Sequence, residues 1–393
     1  MSGGQHYDVV IIGGALFGGS TAYHLLRREP GMRICVLERD PTYERAPSAV
    51  SVAGIRLLFS QPENLLMSRY GHEFYSAFGE LMEVDGDRTP LDFWKQGYLF
   101  IANTPAQAAD MKLNHDYQTS MGCDAELFDG PALARRFPSL ATHDVASAVL
   151  SPRDGWIDPY GALMGLRRKA RAMGAEYRHA EAVGLERDGR RVTAVHLGDG
   201  TSLSAEYVVN TAGIWAPAVC EMIGMKIPVV PLPRTQFYFE TPAKPEPLPL
   251  VRDQLGVGFR PEGAGFISGI TNYDAAGNFV WDVNYDYFEN EVWPALANRM
   301  PGFEQVKLKN AWCGHYAQST FDGNMIIGPW IGEVDNFLIA AGCSGHGLQH
   351  APAIGRGLAE LIIDGRFGAI DLSRLTYQRI LDNEPYPERG VKA

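Results

Sequence analysis

The stretch IIGGALFGGS at residues 11–20 constrains the fold of this chain more than any other ten residues. Ahead of it, YDVVII is almost continuously apolar, as expected of a strand buried on both faces of a parallel sheet. Behind it, STAYHLLRRE sets Ala22, Leu25 and Leu26 on one helical face until Pro30-Gly31 stops the helix. RICVLERD then reads as a second buried strand, closing on Glu38. Strand, glycine turn, helix and strand in this order predict a parallel βαβ unit. Gly13 and Gly18 hold the first and last places of the pyrophosphate-binding turn G-x-G-x-x-G, with Ala15 at the middle one. A small shift absorbs that one methyl, and the helix start still offers N–H groups and its positive dipole end to a phosphate. Glu38, 20 residues after Gly18, stands where an acid takes a ribose hydroxyl, and its charge disfavours an NADP-like 2′-phosphate. The spacing predicts a dinucleotide site in which Gly13, Ala15, Leu16, Phe17, Gly18, Glu38 and Arg39 take part.

The rest does not continue as a simple βαβ array. SAVSVAGIRLLFS at 48–60 is small and glycine-containing, and reads as a loop wrapped on a ligand. Residues 81–150 are mixed, with a strand near GYLFIA and a helix near GPALARRF. Helix, strand and hairpin return before YVVNTAG, whose glycine permits close approach to a ligand. Seven prolines in 228–250 predict edge strands and crossings, and TQFYFE, GVGFRP and GFISGIT follow as antiparallel-type strands. NFLIAAGCSGHGLQHAPAIGRGLAELIIDG reads as strand, glycine turn and helix, with Pro352 near the helix start. The pattern predicts an α/β (α+β) fold. A discontinuous Rossmann-type nucleotide domain takes 1–80, 151–220 and 320–393, and an antiparallel β-rich substrate domain takes 81–150 and 221–319.

Composition excludes several classes. A net charge of -11 leaves nothing to displace counterions from a phosphate backbone, so no nucleic-acid partner is expected. The five cysteines are scattered without C-x-x-C spacing, which fits a reduced, cytoplasmic protein and gives no metal site. No basic stretch followed by an apolar run opens the chain, and no apolar run approaches ~18 residues. Neither a targeting peptide nor an integral membrane segment is therefore expected.

Over nearly its whole length the sequence resembles the FAD-dependent oxidoreductases of the D-amino acid oxidase class. The resemblance rests on the Gly13/Gly18 turn with Glu38, on SVAGIR, DGWIDPYG and VVNTAG, and on GCSGHGLQHAPAIGRGLAELI. It points to the subgroup of monomeric sarcosine oxidase, dimethylglycine-type dehydrogenases and a mitochondrial oxidoreductase of complex I assembly, to which WCGHYAQSTFDGNMIIGP is similar. The resemblance implies FAD rather than a nicotinamide, and oxidation of a C–N bond by hydride transfer to the flavin. It puts Ala53, Gly54, Arg56, Ala212 and Gly213 at the cofactor. Gly345, His346, Gly347, Leu348 and Gln349 fall beside the flavin ring, where backbone N–H groups and a helix dipole suit the charge of the reduced form.

By the same resemblance His315, Tyr316, His346 and Gln349 become the candidate catalytic residues, with Phe59 beside them. Relatives anchor a substrate carboxylate by an arginine at the place of Tyr316 or Phe59, or a lysine at Gln349, and this chain has none of these. Gly314 stands where sarcosine oxidase has its flavin-linked cysteine, and Cys313 is one residue out of register, so FAD is expected to be non-covalent. Ile267 replaces a lysine that promotes reaction with oxygen, so an electron acceptor other than oxygen is expected. The expected function is FAD-dependent oxidation of a small-molecule secondary or N-alkylated amine or amino acid to an imine that hydrolyses. An apolar, aromatic pocket would favour the neutral nitrogen by desolvation. Two alternatives stay open: a 2-hydroxy-acid dehydrogenase with His315 or His346 as base, and an assembly factor that keeps FAD structurally.

Overall fold

The computed structural model describes residues 5–88, 90–253 and 256–390. Residues 1–4, on which part of the expectation about targeting segments falls, lie outside the described residues, as do 391–393. Two eight-stranded sheets dominate. In the first, five parallel strands lie in the order Val334–Ala341, Ser202–Asn210, β1 (Gln5–Ile12), β2 (Ile34–Glu38) and Glu176–His179. β1 packs Val10 and Ile12 into a core with the hairpin residues Val192, Val195 and Leu197. Its other face sends Val9 and Ile11 against α1 (Leu16–Arg28) and the helix Gly347–Asp364, through Ala22, Leu25, Leu26, Ile354 and Leu358. Cover on both faces is why the strands read as unbroken apolar runs. Each fully buried aliphatic side chain contributes about 1.5–3 kcal/mol.

The second sheet runs Lys307–Ser319, Val229–Glu240, Gly265–Ile270, Val257–Glu262, Leu250–Asp253, Tyr98–Ala102, Ser147–Ser151, Glu126–Phe128. It is mixed rather than purely antiparallel, because Leu250–Asp253 lies parallel to Tyr98–Ala102. Those two strands come from distant segments, so no tight turn fixes their relative direction. The proline-rich strand also departs from the expected edge position. Val229–Glu240 is interior, paired with Lys307–Ser319 along its length but with Gly265–Ile270 only over Phe237–Phe239. Pro231 and Pro233 sit in the half with one open flank, where a missing N–H breaks no ladder. A third sheet joins Gly54–Ile55, Gly155–Ile157 and Phe93–Trp94, giving the 48–60 loop one ordered step. Among the described residues no helix is long and apolar enough to cross a membrane, and no acidic, histidine or cysteine cluster has metal-site geometry.

Candidate functional site

Two cavities adjoin at Tyr316 on the strand Lys307–Ser319, Gly345 in the glycine turn, and Leu348 in the first turn of the helix Gly347–Asp364. The larger, about 570 Å³, is lined by Gly13, Ala15, Leu16, Phe17, Glu38 and Arg39 from the first βαβ unit. Ala212, Gly213, Gly345, Gly347 and Leu348 complete it from later segments. Gly13 has φ +100°, and a Cβ there would lie 2.6 Å from the Thr211 carbonyl oxygen. Gly18 faces neither cavity; a Cβ on it would strike the Gly13 carbonyl, so it serves the tightness of the turn. α1 starts behind Ala15 with no side-chain cap and no acid in its first turn. Its leading N–H groups are thus left for an anionic ligand. The Glu38 carboxylate accepts from the N–H groups of Gly14 and Asp40, both at 2.9 Å, while burial pushes its pKa up. Arg39 lies 3.8 Å over the Trp215 ring, which joins the cavity wall. Sequence reasoning missed Trp215, since no motif distinguishes it from a core aromatic.

The smaller cavity, about 50 Å³, takes Ala53, Gly54 and Arg56 from one loop and Arg234, Gln236, Arg252 and Ile267 from the mixed sheet. Ala53 and Ser344 have φ of 61° and 47°, left-handed values rare outside glycine, on the two loops that approach it. Arg56 is only 4% exposed, and its guanidinium lies 4.3 Å over Phe59 with Phe100 and Tyr98 close by. Its Nε has no hydrogen-bond partner among the described residues. Tyr316 lines both cavities. Burial raises its phenol pKa, but Arg234, Arg252 and Arg56 together outweigh that and hold it below its ordinary value. Arg234 and Arg252 were not legible as site residues, because their strands carry no motif.

Three of the candidate catalytic residues are placed differently. His315 and Tyr316 are neighbours on one strand, so their side chains leave opposite faces. His315 turns away from both cavities to pack 4.3 Å from the Trp281 ring, and its Nε2 accepts from the Val280 N–H at 3.1 Å. Burial lowers its pKa to about 4. Gln349 is 1% exposed, its carboxamide oxygen accepts from the Arg56 N–H at 2.9 Å and so clamps the loop, and it lines none of the three cavities. His346 faces a third cavity, about 480 Å³, shared with Phe59 and Arg56. Burial and the nearby Arg56 charge keep it neutral, so it supplies no cation. Cys313 points off the Tyr316 face, with Sγ 3.1 Å from the Val280 carbonyl.

A glycine cradle with free helix N–H groups and an acid at its rim, continuing into a cavity rich in arginine, fits a dinucleotide with a redox ring. The chain matches the family model described as FAD dependent oxidoreductase (DAO) over residues 8–361. It belongs to that family. The DAO-family chain is thus an oxidoreductase whose cofactor is FAD. It is 36% identical to FAD-dependent oxidoreductase domain-containing protein 1 of Xenopus laevis, over 98% of this chain and 85% of that protein. Mitochondrial sarcosine dehydrogenase of Mus musculus is 28% identical over 91% of this chain and 40% of its own length. The structure of L-proline dehydrogenase from P. horikoshii superposes with a TM-score of 0.87 at 25% identity, covering 98% and 100% of the two chains. The Gly13–Gly18 turn, the start of α1 and Glu38 would hold FAD in the larger cavity, which reaches Tyr316, Gly345 and Leu348.

Proposed function

We propose that this chain oxidises the C–N bond of a secondary or N-alkylated amine or amino acid. The carrying observation is that, among the described residues, no histidine, lysine or carboxylate lines the smaller cavity. A hydroxy acid needs a base to take its hydroxyl proton as hydride leaves. A neutral amine does not, since the nitrogen lone pair stabilises the cation that forms. Bound FAD supplies the two-electron acceptor, and the imine product takes up water to give an amine and a carbonyl compound. Tyr316, at the junction of the two cavities, would contact the substrate nitrogen, and Arg56, Arg234 and Arg252 would orient its anionic end. A reducing, cytoplasmic setting and an acceptor other than oxygen belong to the same proposal. They rest on the five free cysteines and on Ile267, whose side chain faces the cavity without charge.

The test is anaerobic mixing of the FAD-loaded protein with matched N-methyl amino acids and 2-hydroxy acids. Bleaching of the flavin band by the amines, with aldehyde or keto acid formed in equal amount, is expected. Bleaching by hydroxy acids alone would overturn the reading.

A further inference from the structure

Buried arginines elsewhere in this protein have acids beside them. Arg299, 1% exposed, holds Asp253 at 2.5 Å and Asp144 at 2.9 Å. Arg379 holds Asp322 at 2.8 Å, and Arg260 is bonded to Glu262. The arginines of the smaller cavity differ. Arg234 is 4% exposed, and both Nε and Nη1 are buried without a partner among the described residues, its guanidinium stacked 4.8 Å over Tyr316. Arg252 has no ion pair with any described carboxylate. Its room is made by Gly258, where a Cβ would strike its Nη1. Gly269, opposite Gly258 in register, leaves similar room for Gln236, whose amide atoms lie 3.2–3.3 Å from where a Cβ would be. The sheet is thus cleared of side chains around Arg252 and Gln236, beside an Arg234 that touches Tyr316 and has no carboxylate partner among the described residues.

Charge counting narrows the ligand. Arg56 is the third cation here, and it acts on Asp154, whose carboxyl burial pushes up to about 7. That acid and the pyrimidine edge of a reduced flavin answer for one positive charge. Arg234 and Arg252 remain. Arg234 is buried and Arg252 half-buried; a cation taken from water without a counter-ion is costly to a fold, and a guanidinium attracts a carboxylate by charge-assisted hydrogen bonds. We propose that Arg234 and Arg252 form a double carboxylate subsite, so that the substrate is an amine carrying two carboxylates. This deepens the amine-oxidation reading, on which only the word amine rests.

The subsite is tested without turnover, on FAD-loaded protein at low salt. Succinate and butyrate are titrated, followed by calorimetry and by the shift of the flavin band. Succinate is expected to bind at least about tenfold more tightly, with that preference lost in Arg234→Gln and in Arg252→Gln. Equal affinities, or a preference that survives both changes, would overturn it. A second readout separates function from folding. Ligand-free Arg234→Met should melt at or above the parent temperature, whereas Arg299→Met, which strands two acids, should melt well below it. A fall in Arg234→Met as large as that in Arg299→Met makes Arg234 structural and sinks the subsite. Flavin bleaching by N-methylalanine without any succinate preference defeats the subsite alone. Succinate preference with no bleaching by any amine defeats amine oxidation alone.

Discussion

Glu38 joins the cofactor site to the backbone that shapes it. Its two oxygens receive the Gly14 and Asp40 N–H groups, which hold the carboxylate at the cavity rim. Glu38→Ala removes the acceptor of both N–H groups and the carboxylate expected to take a ribose hydroxyl, and hydrogen bonds to charged groups contribute about 1.5–3 kcal/mol. FAD affinity should fall by about tenfold to a hundredfold, read by reconstituting apoprotein and following flavin fluorescence. Two buried titrating groups act in opposite directions on stability. His350, whose Nε2 meets Ser68 Oγ at 3.0 Å, is pushed by burial to about 3. The unfolded chain protonates this histidine below about 6.5, so its contribution is present above that pH and is lost as pH falls toward 3. Asp154 is raised by burial to about 7 while accepting the Leu57 N–H at 2.7 Å. Its contribution is full below about 3.8 and declines as pH rises through 7. Asp154→Asn keeps an acceptor for Leu57, so melting temperatures at pH 5 and pH 8 should draw closer than in the parent. An unchanged gap would mean Asp154 does not titrate in this range.

Elements place side chains that motifs only name. The strand Lys307–Ser319 carries Cys313, Gly314, His315 and Tyr316, and its alternation sends Tyr316 to the cavities and His315 away. The same alternation turns Cys313 to the far face, and Gly314 has no side chain to link. Acid precipitation should therefore leave the flavin in the supernatant, and colour retained in the pellet would refute non-covalent binding. Gln349 ties the start of the helix Gly347–Asp364 to the loop through Arg56. Gln349→Ala strands a buried N–H, at a cost of about 1–3 kcal/mol, so the melting temperature and FAD retention should fall together. The helix Pro105–Ser120 escaped the sequence reading because only Met111 and Gln118 are buried on it, which leaves no apolar stripe. Its Thr104/Gln107 capping box and Pro105 were nonetheless legible start signals.

At the scale of the whole molecule, the cavity that would hold the cofactor is walled by the βαβ unit of the first sheet, and Tyr316 of the second sheet stands where it meets the smaller cavity. Ile267 brings no charge to that end, and His346 is held neutral. Bound dicarboxylate would also neutralise Arg234 and Arg252, leaving little to stabilise developing superoxide. Photoreduced enzyme mixed with aerated buffer in the presence of succinate should reoxidise far more slowly than substrate turns over with an artificial acceptor. Reoxidation keeping pace with turnover would make the protein an oxidase. The βαβ unit, the Gly13 turn and Glu38 were readable in sequence because local interactions and short spacing dictate them: a strand needs its apolar run, and a tight turn needs its glycine. The cradle formed by Gly345 to Leu348 was readable for the same reason, as a glycine turn before a helix. The surroundings of Tyr316 were not. Arg56, Arg234 and Arg252 come from segments nearly 200 residues apart in places, and only strand register and the crossing of the sheets bring them to one phenol. No residue in those strands marks itself as binding or structural until the fold shows which arginines have an acid beside them and which do not.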